Sequence, residues 1–141
     1  MANIVVMAVS MIARLTGQIA VVEADALAWL PETPFEAIYE QTCLCALYPD
    51  HWRAYGDQLH RWLKPGGKLV VVDYHCPHRG HPLRYLLRPV LRALEPDALD
   101  LWANELDRWL PGGLGSTHIC KKTFFGGLYQ MLAIAVPKQS E

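Results

Sequence analysis

Residues Trp62 to Tyr74 read WLKPGGKLVVVDY. It has the form of a helix end, a tight turn and a buried strand. Lys64-Pro65-Gly66-Gly67 stops the helix, because glycine takes the left-handed conformation of a helix cap and proline cannot continue a helix. Lys68 to Asp73 follows as an apolar run rich in β-branched valine, the pattern of a strand covered on both faces. Strands of that kind belong to α/β sheets, whose ligands lie beyond the carboxyl ends of the strands. Asp73, Tyr74 and His75 are thereby placed beside any active site.

The 141 residues suit one domain with a real core. A hydrophobic content of 52% against 19% charged residues argues against disorder. The net charge of −1 gives no general attraction to nucleic acid, so no nucleic-acid partner is expected. Cys43, Cys45, Cys76 and Cys120 lack CxxC spacing, and a reduced, cytoplasmic chain is expected. Met1 to Leu15 is apolar but shorter than the ~20 residues of a membrane span, and it lacks the basic start of a signal peptide. It reads as a buried helix punctuated by Gly17.

The remaining elements follow in order. Ile19 to Val22 is a strand, Ala26 to Leu30 a turn, and Phe35 to Tyr39 a second strand closed by Glu40-Gln41-Thr42. Pro49 sits at a first helical position, and Trp52, Tyr55, Leu59 and Leu63 recur on one face of the helix it opens. After the central strand, His75 to Pro82 is a loop. Leu83 to Leu94 is a helix containing Pro89, and Leu99, Trp102, Leu106 and Trp109 mark another. Thr117 to Phe125 and Leu128 to Val136 form a hairpin around Gly126-Gly127. Strands alternating with helices, then a terminal hairpin, predict a mostly parallel α/β sheet with an antiparallel edge.

Three pieces in this order resemble the class I S-adenosylmethionine-dependent methyltransferases. Val21 to Ala26 (VVEADA) is similar to the strand whose acidic end holds adenine. Phe35 to Glu40 (FEAIYE) is similar to the next family strand, and Leu63 to Leu69 (LKPGGKL) to the segment before the one after it. Tyr39 to Leu47 (YEQTCLCAL) resembles the thiopurine methyltransferase group. Asp73-Tyr74-His75, His81 to Arg84 and Leu99 to Trp102 resemble enzymes acting on ubiquinone, menaquinone or rhodoquinone precursors. The resemblance implies a Rossmann-like methyltransferase sheet over residues 1–141, with residues 75–115 as a substrate-side loop and helical insertion. No counterpart is seen for the family's first strand, glycine-rich turn or second strand.

The implied function is methyl transfer from S-adenosylmethionine to a small apolar aromatic or quinone-like acceptor. Asp25 and Ala26 would contact the cofactor's adenine, and Glu40 and Gln41 would line its pocket. Asp73 or His75 would take a proton from the acceptor, and Tyr74, His78, His81 and Arg84 would bind it. Each has a plainer reading: Asp25 as a helix N-cap, Glu40 and Gln41 as partners of loop backbone, the histidines as a solvated loop. Cys76 and the three histidines match no standard zinc spacing, and no metal site is expected. Trp102, Trp109, Phe124, Phe125 and Tyr129 either line an aromatic pocket or pack the core. Arg84, Arg88 and Arg92 stripe one helix face opposite Leu86, Leu87, Val90, Leu91 and Leu94, a pattern suited to an anionic membrane surface. The competing class is a catalytically inactive fragment or a partner-dependent subunit, dimerising across open strand edges.

Overall fold

The computed structural model describes residues 9–12, 19–22, 24–41, 43–109 and 120–137. In chain order the elements are β1 (Val9–Ile12), β2 (Ile19–Val22), β3 (Phe35–Gln41), α1 (Pro49–Trp62), β4 (Leu63–Tyr74), α2 (Leu83–Leu94), α3 (Ala98–Ala103), β5 (Cys120–Phe124) and β6 (Tyr129–Ala135). Short 3-10 turns lie at Leu44–Ala46, Leu106–Trp109 and Phe125–Gly127.

Four strands form the main sheet in the order β3-β4-β6-β5. β3 runs parallel to β4, and β6 is antiparallel to both β4 and β5. The terminal hairpin is therefore the antiparallel edge expected from Gly126-Gly127. One face of this mixed sheet carries Ile38 and Glu40 from β3, Leu69, Val71 and Asp73 from β4, and Gln130, Leu132 and Ile134 from β6, all buried. The alternate positions Val70, Val72 and Tyr74 are half-buried. α1, α3 and the Leu44–Ala46 turn pack onto β4.

α1 begins with Pro49 in its first turn and buries Trp52, Tyr55, Leu59 and Trp62. The spacing of those residues puts them on one stripe, and their removal from water is the main stabilising term here. The indole N–H of Trp52 donates to the carbonyls of Leu44 (2.6 Å) and Leu47 (2.9 Å), so the large ring is buried without an unpaired donor. That pair of bonds also fixes the Leu44–Ala46 turn over the strand ends.

Three expectations are corrected. Lys64 to Gly67 does not cap α1. The helix ends at Trp62, and Leu63 is already extended and paired with Phe35. The register then jumps from Phe35–Leu63 to Ala37–Lys68, so the Pro-Gly-Gly turn is a bulge inside β4. Gly66 supplies its positive φ of 77°, and a Cβ at Gly67 would lie 2.8 Å from the Lys64 carbonyl oxygen. Second, Val9–Ile12 is a strand and not helix; it pairs antiparallel with β2, from Val9–Val22 to Ile12–Ile19, in a separate two-stranded sheet. A short apolar run has no period of its own, and a partner a few residues away satisfies its backbone locally. Third, the helix expected from Leu99 to Trp109 breaks after Ala103. Asn104 is extended, and both its backbone N–H and its side-chain amide donate to the Asp100 carbonyl at 3.0 Å. Such side-chain bonds to backbone compete with continued helix. Gly17, Thr42, Pro111 to Gly115, Thr117 and the tail beyond Pro137 lie outside the described residues.

Candidate active site

Parallel pairing puts the carboxyl ends of β3 and β4 side by side, with Glu40 opposite Val71 and Gln41 opposite Val72. Residues two apart on a strand share a face, so Glu40 and Asp73 are brought together there. Both are enclosed: Glu40 is 3% exposed and Asp73 0%. The Asp73 carboxylate accepts from the backbone N–H of Tyr74 (2.7 Å) and of Cys45 (3.3 Å). Glu40 accepts from the Cys43 N–H through Oε1 at 2.6 Å, and its Oε2 is buried with no hydrogen-bond partner among the described residues.

Burial without full compensation favours the neutral acid. It raises the Glu40 pKa to about 7, with the nearby Asp73 charge adding to the effect. Burial also raises Asp73 to about 6, held down in part by its two backbone donors. The Cys43 and Cys45 thiols are pushed far up, by burial first and by these carboxylates second. Neither thiol is an activated nucleophile. The expectation that Glu40 and Asp73 face an open cleft is thus not what the geometry gives, because the Leu44–Ala46 turn and Tyr55 close over them. Gln41, by contrast, is exposed, and its Oε1 accepts from the Tyr39 hydroxyl at 3.1 Å.

Asp25 is exposed at the start of the Ala26–Ala28 turn, and its Oδ1 accepts from the Leu27 N–H at 2.9 Å. That is the capping role of the plainer reading. Among the described residues its other carboxylate oxygen is unengaged. Ala26 is packed in the core.

The second cluster gathers around the β5–β6 turn. Phe125, Gly126 and Gly127 all have positive φ (51°, 66° and 88°), a tight run that only glycine adopts without strain. His75 donates its backbone N–H to the Leu128 carbonyl at 2.7 Å, and its Nδ1 lies 2.9 Å from the Gly127 carbonyl oxygen. A carbonyl only accepts, so Nδ1 carries the hydrogen and Nε2 keeps the lone pair. His81 has the opposite tautomer: its Nδ1 accepts from the Leu83 N–H at 3.3 Å, which leaves the neutral ring's hydrogen on Nε2. The His78 N–H donates to the Gly126 carbonyl at 3.1 Å. A side chain at Gly126 would collide with the His81 ring, and one at Gly127 would crowd His78. Arg84 donates to the Pro77 carbonyl at 3.2 Å, and Tyr74 stacks on Tyr129 with ring centroids 5.2 Å apart.

The fold therefore assembles two groups from the expected site residues: Glu40 with Asp73, and His75, His78, His81 and Arg84 about the glycine turn. The chain from Asp73 to His75 joins them. Gly126, Gly127, Tyr55 and Gln130 were missed. Gln130 is buried, and its amide donates to the Tyr74 carbonyl at 3.3 Å. The only sequence signal for the glycines as a seat was the three-residue spacing of His75, His78 and His81. Of the aromatic set, Trp109 packs edge-on against Trp52 at 5.0 Å, while Phe124 and Phe125 are exposed, so the five do not share a pocket. Among the described residues no group of three His, Cys, Asp or Glu side chains is arranged to hold a metal ion.

The sequence profile of the family thiopurine S-methyltransferase (TPMT) matches residues 6–86, more than half of the chain. The chain belongs to the thiopurine S-methyltransferase family. The matched span takes in β3, β4 and the histidine loop, and the methyl donor of such enzymes is S-adenosylmethionine. Among solved structures, the N-methyltransferase NodS from Bradyrhizobium japonicum WM9 is similar in fold, with 16% identity and a TM-score of 0.54 over 82% of this chain. Its complex with S-adenosyl-l-homocysteine gives a TM-score of 0.56 at 16% identity over 83% of this chain. The chain spans 58% and 54% of those two NodS chains. A tRNA N(3)-methylcytidine methyltransferase of Schizosaccharomyces pombe shares 39% identity over 51 residues, which is 36% of this chain and 17% of that protein.

Proposed function

We propose that this family member transfers a methyl group from S-adenosylmethionine to a small, apolar aromatic or quinone-like acceptor at the carboxyl ends of β3 and β4. One observation carries the reading: adjacent parallel strands end in the enclosed Glu40–Asp73 pair, and the chain passes directly from Asp73 to a histidine with a fixed tautomer.

The residues present fit the cofactor. Among the described residues Glu40 Oε2 is a buried acceptor with no donor and Asp25 has one unengaged carboxylate oxygen, and Gln41 is exposed at the end of β3. Exposed Gln41 would line the cofactor pocket, with the enclosed Glu40 supporting it from behind, and Asp25 would meet the adenine amino group, with Ala26 packing beneath. When bound, the cofactor supplies an electrophilic methyl group on a sulfonium that leaves as a neutral thioether. The protein's share is orientation, which dominates an in-line displacement. His75 is the general base: its Nε2 lone pair takes the acceptor's hydroxyl proton, while the Gly127 carbonyl holds the Nδ1 hydrogen. Asp73 is a positioning residue. It touches no ligand and anchors the Tyr74 and Cys45 backbone on either side of the site. His81 Nε2–H, His78, Arg84 and Tyr74 would bind the acceptor, within an insertion at residues 75–115.

Calorimetric titration of the chain with S-adenosylmethionine and S-adenosylhomocysteine tests the cofactor half. Saturable binding at micromolar levels, weakened at least tenfold in Asp25→Ala, is expected. A folded chain that binds neither at millimolar levels overturns the enzymatic reading and leaves an interaction subunit. For the acceptor half, His75→Gln should lower kcat by ~10²-fold or more with little change in KM.

A further inference from the structure

We infer that α2 is a docking surface for an anionic lipid bilayer. Among the described residues the helix is covered along one edge: Leu91 is buried, and Leu83, Arg84 and Leu87 are half-buried. The spacing of four places Leu86, Val90 and Leu94 on a common stripe, and they are 65%, 46% and 75% exposed. Three large aliphatic side chains in a row facing water are unfavourable unless something covers them.

Charge says what covers them. Leu83 to Leu94 holds three arginines and no acidic residue. Arg88 and Arg92 are exposed on the polar side of the helix, and neither has an ion-pair partner among the described residues. An exposed aliphatic stripe on one side of a helix whose charged residues, on the other side, are all arginine up to the C-terminal Glu95 is the pattern of a helix lying in the headgroup layer, with long arginine side chains reaching round to the phosphates. The β5–β6 turn adds to the same end of the molecule: Phe125 is 75% exposed and adjoins the His81 approach to α2 through Gly126. RNA is a poorer fit: its bases could stack on Tyr85, Phe125 and the guanidinium planes, but it would leave the aliphatic stripe in water. A second copy of the chain is a poorer fit too, since a stable interface buries roughly 800 Å² per partner and one such stripe falls well short. The surface adjoins the histidine loop, so an apolar acceptor could pass from bilayer to site, but vesicle binding is independent of cofactor and turnover.

The test is co-sedimentation of the whole chain with vesicles of neutral phosphatidylcholine or of phosphatidylcholine with 30 mol% phosphatidylglycerol (about a third anionic, to give a surface potential), at low and high salt. Binding to the anionic vesicles that weakens with salt is expected. Arg88→Gln with Arg92→Gln should weaken it about 25-fold, at roughly fivefold per basic residue. Leu86→Ser with Leu94→Ser should abolish it while leaving the circular dichroism spectrum unchanged. Equal sedimentation with both vesicle types, or variants that bind as the parent does, overturns the proposal. So does a dimer in sedimentation equilibrium that the leucine variant dissolves, or tRNA binding that survives in that variant and displaces the vesicles.

Discussion

α1 and α2 look alike in sequence and have opposite fates. Both carry large apolar residues at three- and four-residue spacing, and both lie near a proline. α1 buries its apolar stripe completely under the sheet, whereas α2 turns most of its stripe to solvent. Periodicity tells that a helix is two-sided; it does not tell what the apolar side meets. Residue type does. The α1 stripe is largely aromatic, and its polar atoms find acceptors inside: the Trp52 indole on Leu44 and Leu47, and the Trp62 indole on the Trp29 carbonyl at 2.9 Å. The α2 stripe is aliphatic, needs no such acceptors, and lies opposite a face of arginines. Trp52→Ala is the largest test of the contrast. It should cost about 3–5 kcal/mol in urea unfolding, from lost burial and an unfilled cavity. A cost below about 1 kcal/mol would mean that α1 is no more a core helix than α2.

The core beneath α1 is not uniformly apolar, and its polar end separates function from stability. Glu40 titrates at about 7 in the folded chain against an ordinary value of 4.5. The folded state therefore holds on to this proton more tightly than the unfolded state does. The contribution is fully present below pH ~4.5 and is lost as pH rises through about 7. Its size is up to about 3 kcal/mol, since each tenfold gain in proton affinity is worth about 1.36 kcal/mol. Asp73, at about 6 against 3.8, declines in the same direction over a lower window. Glu40→Gln should stabilise the chain by about 2 kcal/mol at pH 8 and by almost nothing at pH 4. The same variant should weaken cofactor binding, the expected trade when a destabilised group belongs to a site. Urea midpoints of both chains across pH 4–8 decide it: a flat profile for the parent chain would show that the carboxylates are solvated, and the contrast between the two ends of the core would vanish.

What could be read in advance followed from local chemistry. The valine run of β4, the Pro49 start of α1 and the glycine pair before β6 each carry their reason within a few residues. β1 was misread because three apolar residues and a serine fit helix and strand equally, and only pairing with Ile19–Val22 chooses. The Pro-Gly-Gly turn was rightly seen as a turn, but whether it caps a helix or bulges a strand depends on Phe35, nearly thirty residues away. The site followed the same division. Strand-end logic put Glu40, Asp73 and His75 at the carboxyl ends of β3 and β4, where they lie. Their burial and the His75 tautomer depend on Cys45 and Gly127, contacts far apart in sequence that no spacing rule encodes.

The smallest effect is the most discriminating for α2. Leu94→Ser should change the unfolding free energy by less than about 0.5 kcal/mol, since an exposed side chain gives up almost no burial. An equivalent change at Leu59 in α1 would cost several times that amount. If Leu94→Ser instead destabilises the chain by more than about 1 kcal/mol, then something within the protein covers the stripe, and bilayer docking loses its argument. If stability is unmoved while vesicle binding falls, the stripe serves an external partner alone. The free energy forgone by leaving three aliphatic side chains in water is then recovered only at the membrane surface, where a lipid-soluble acceptor would be found.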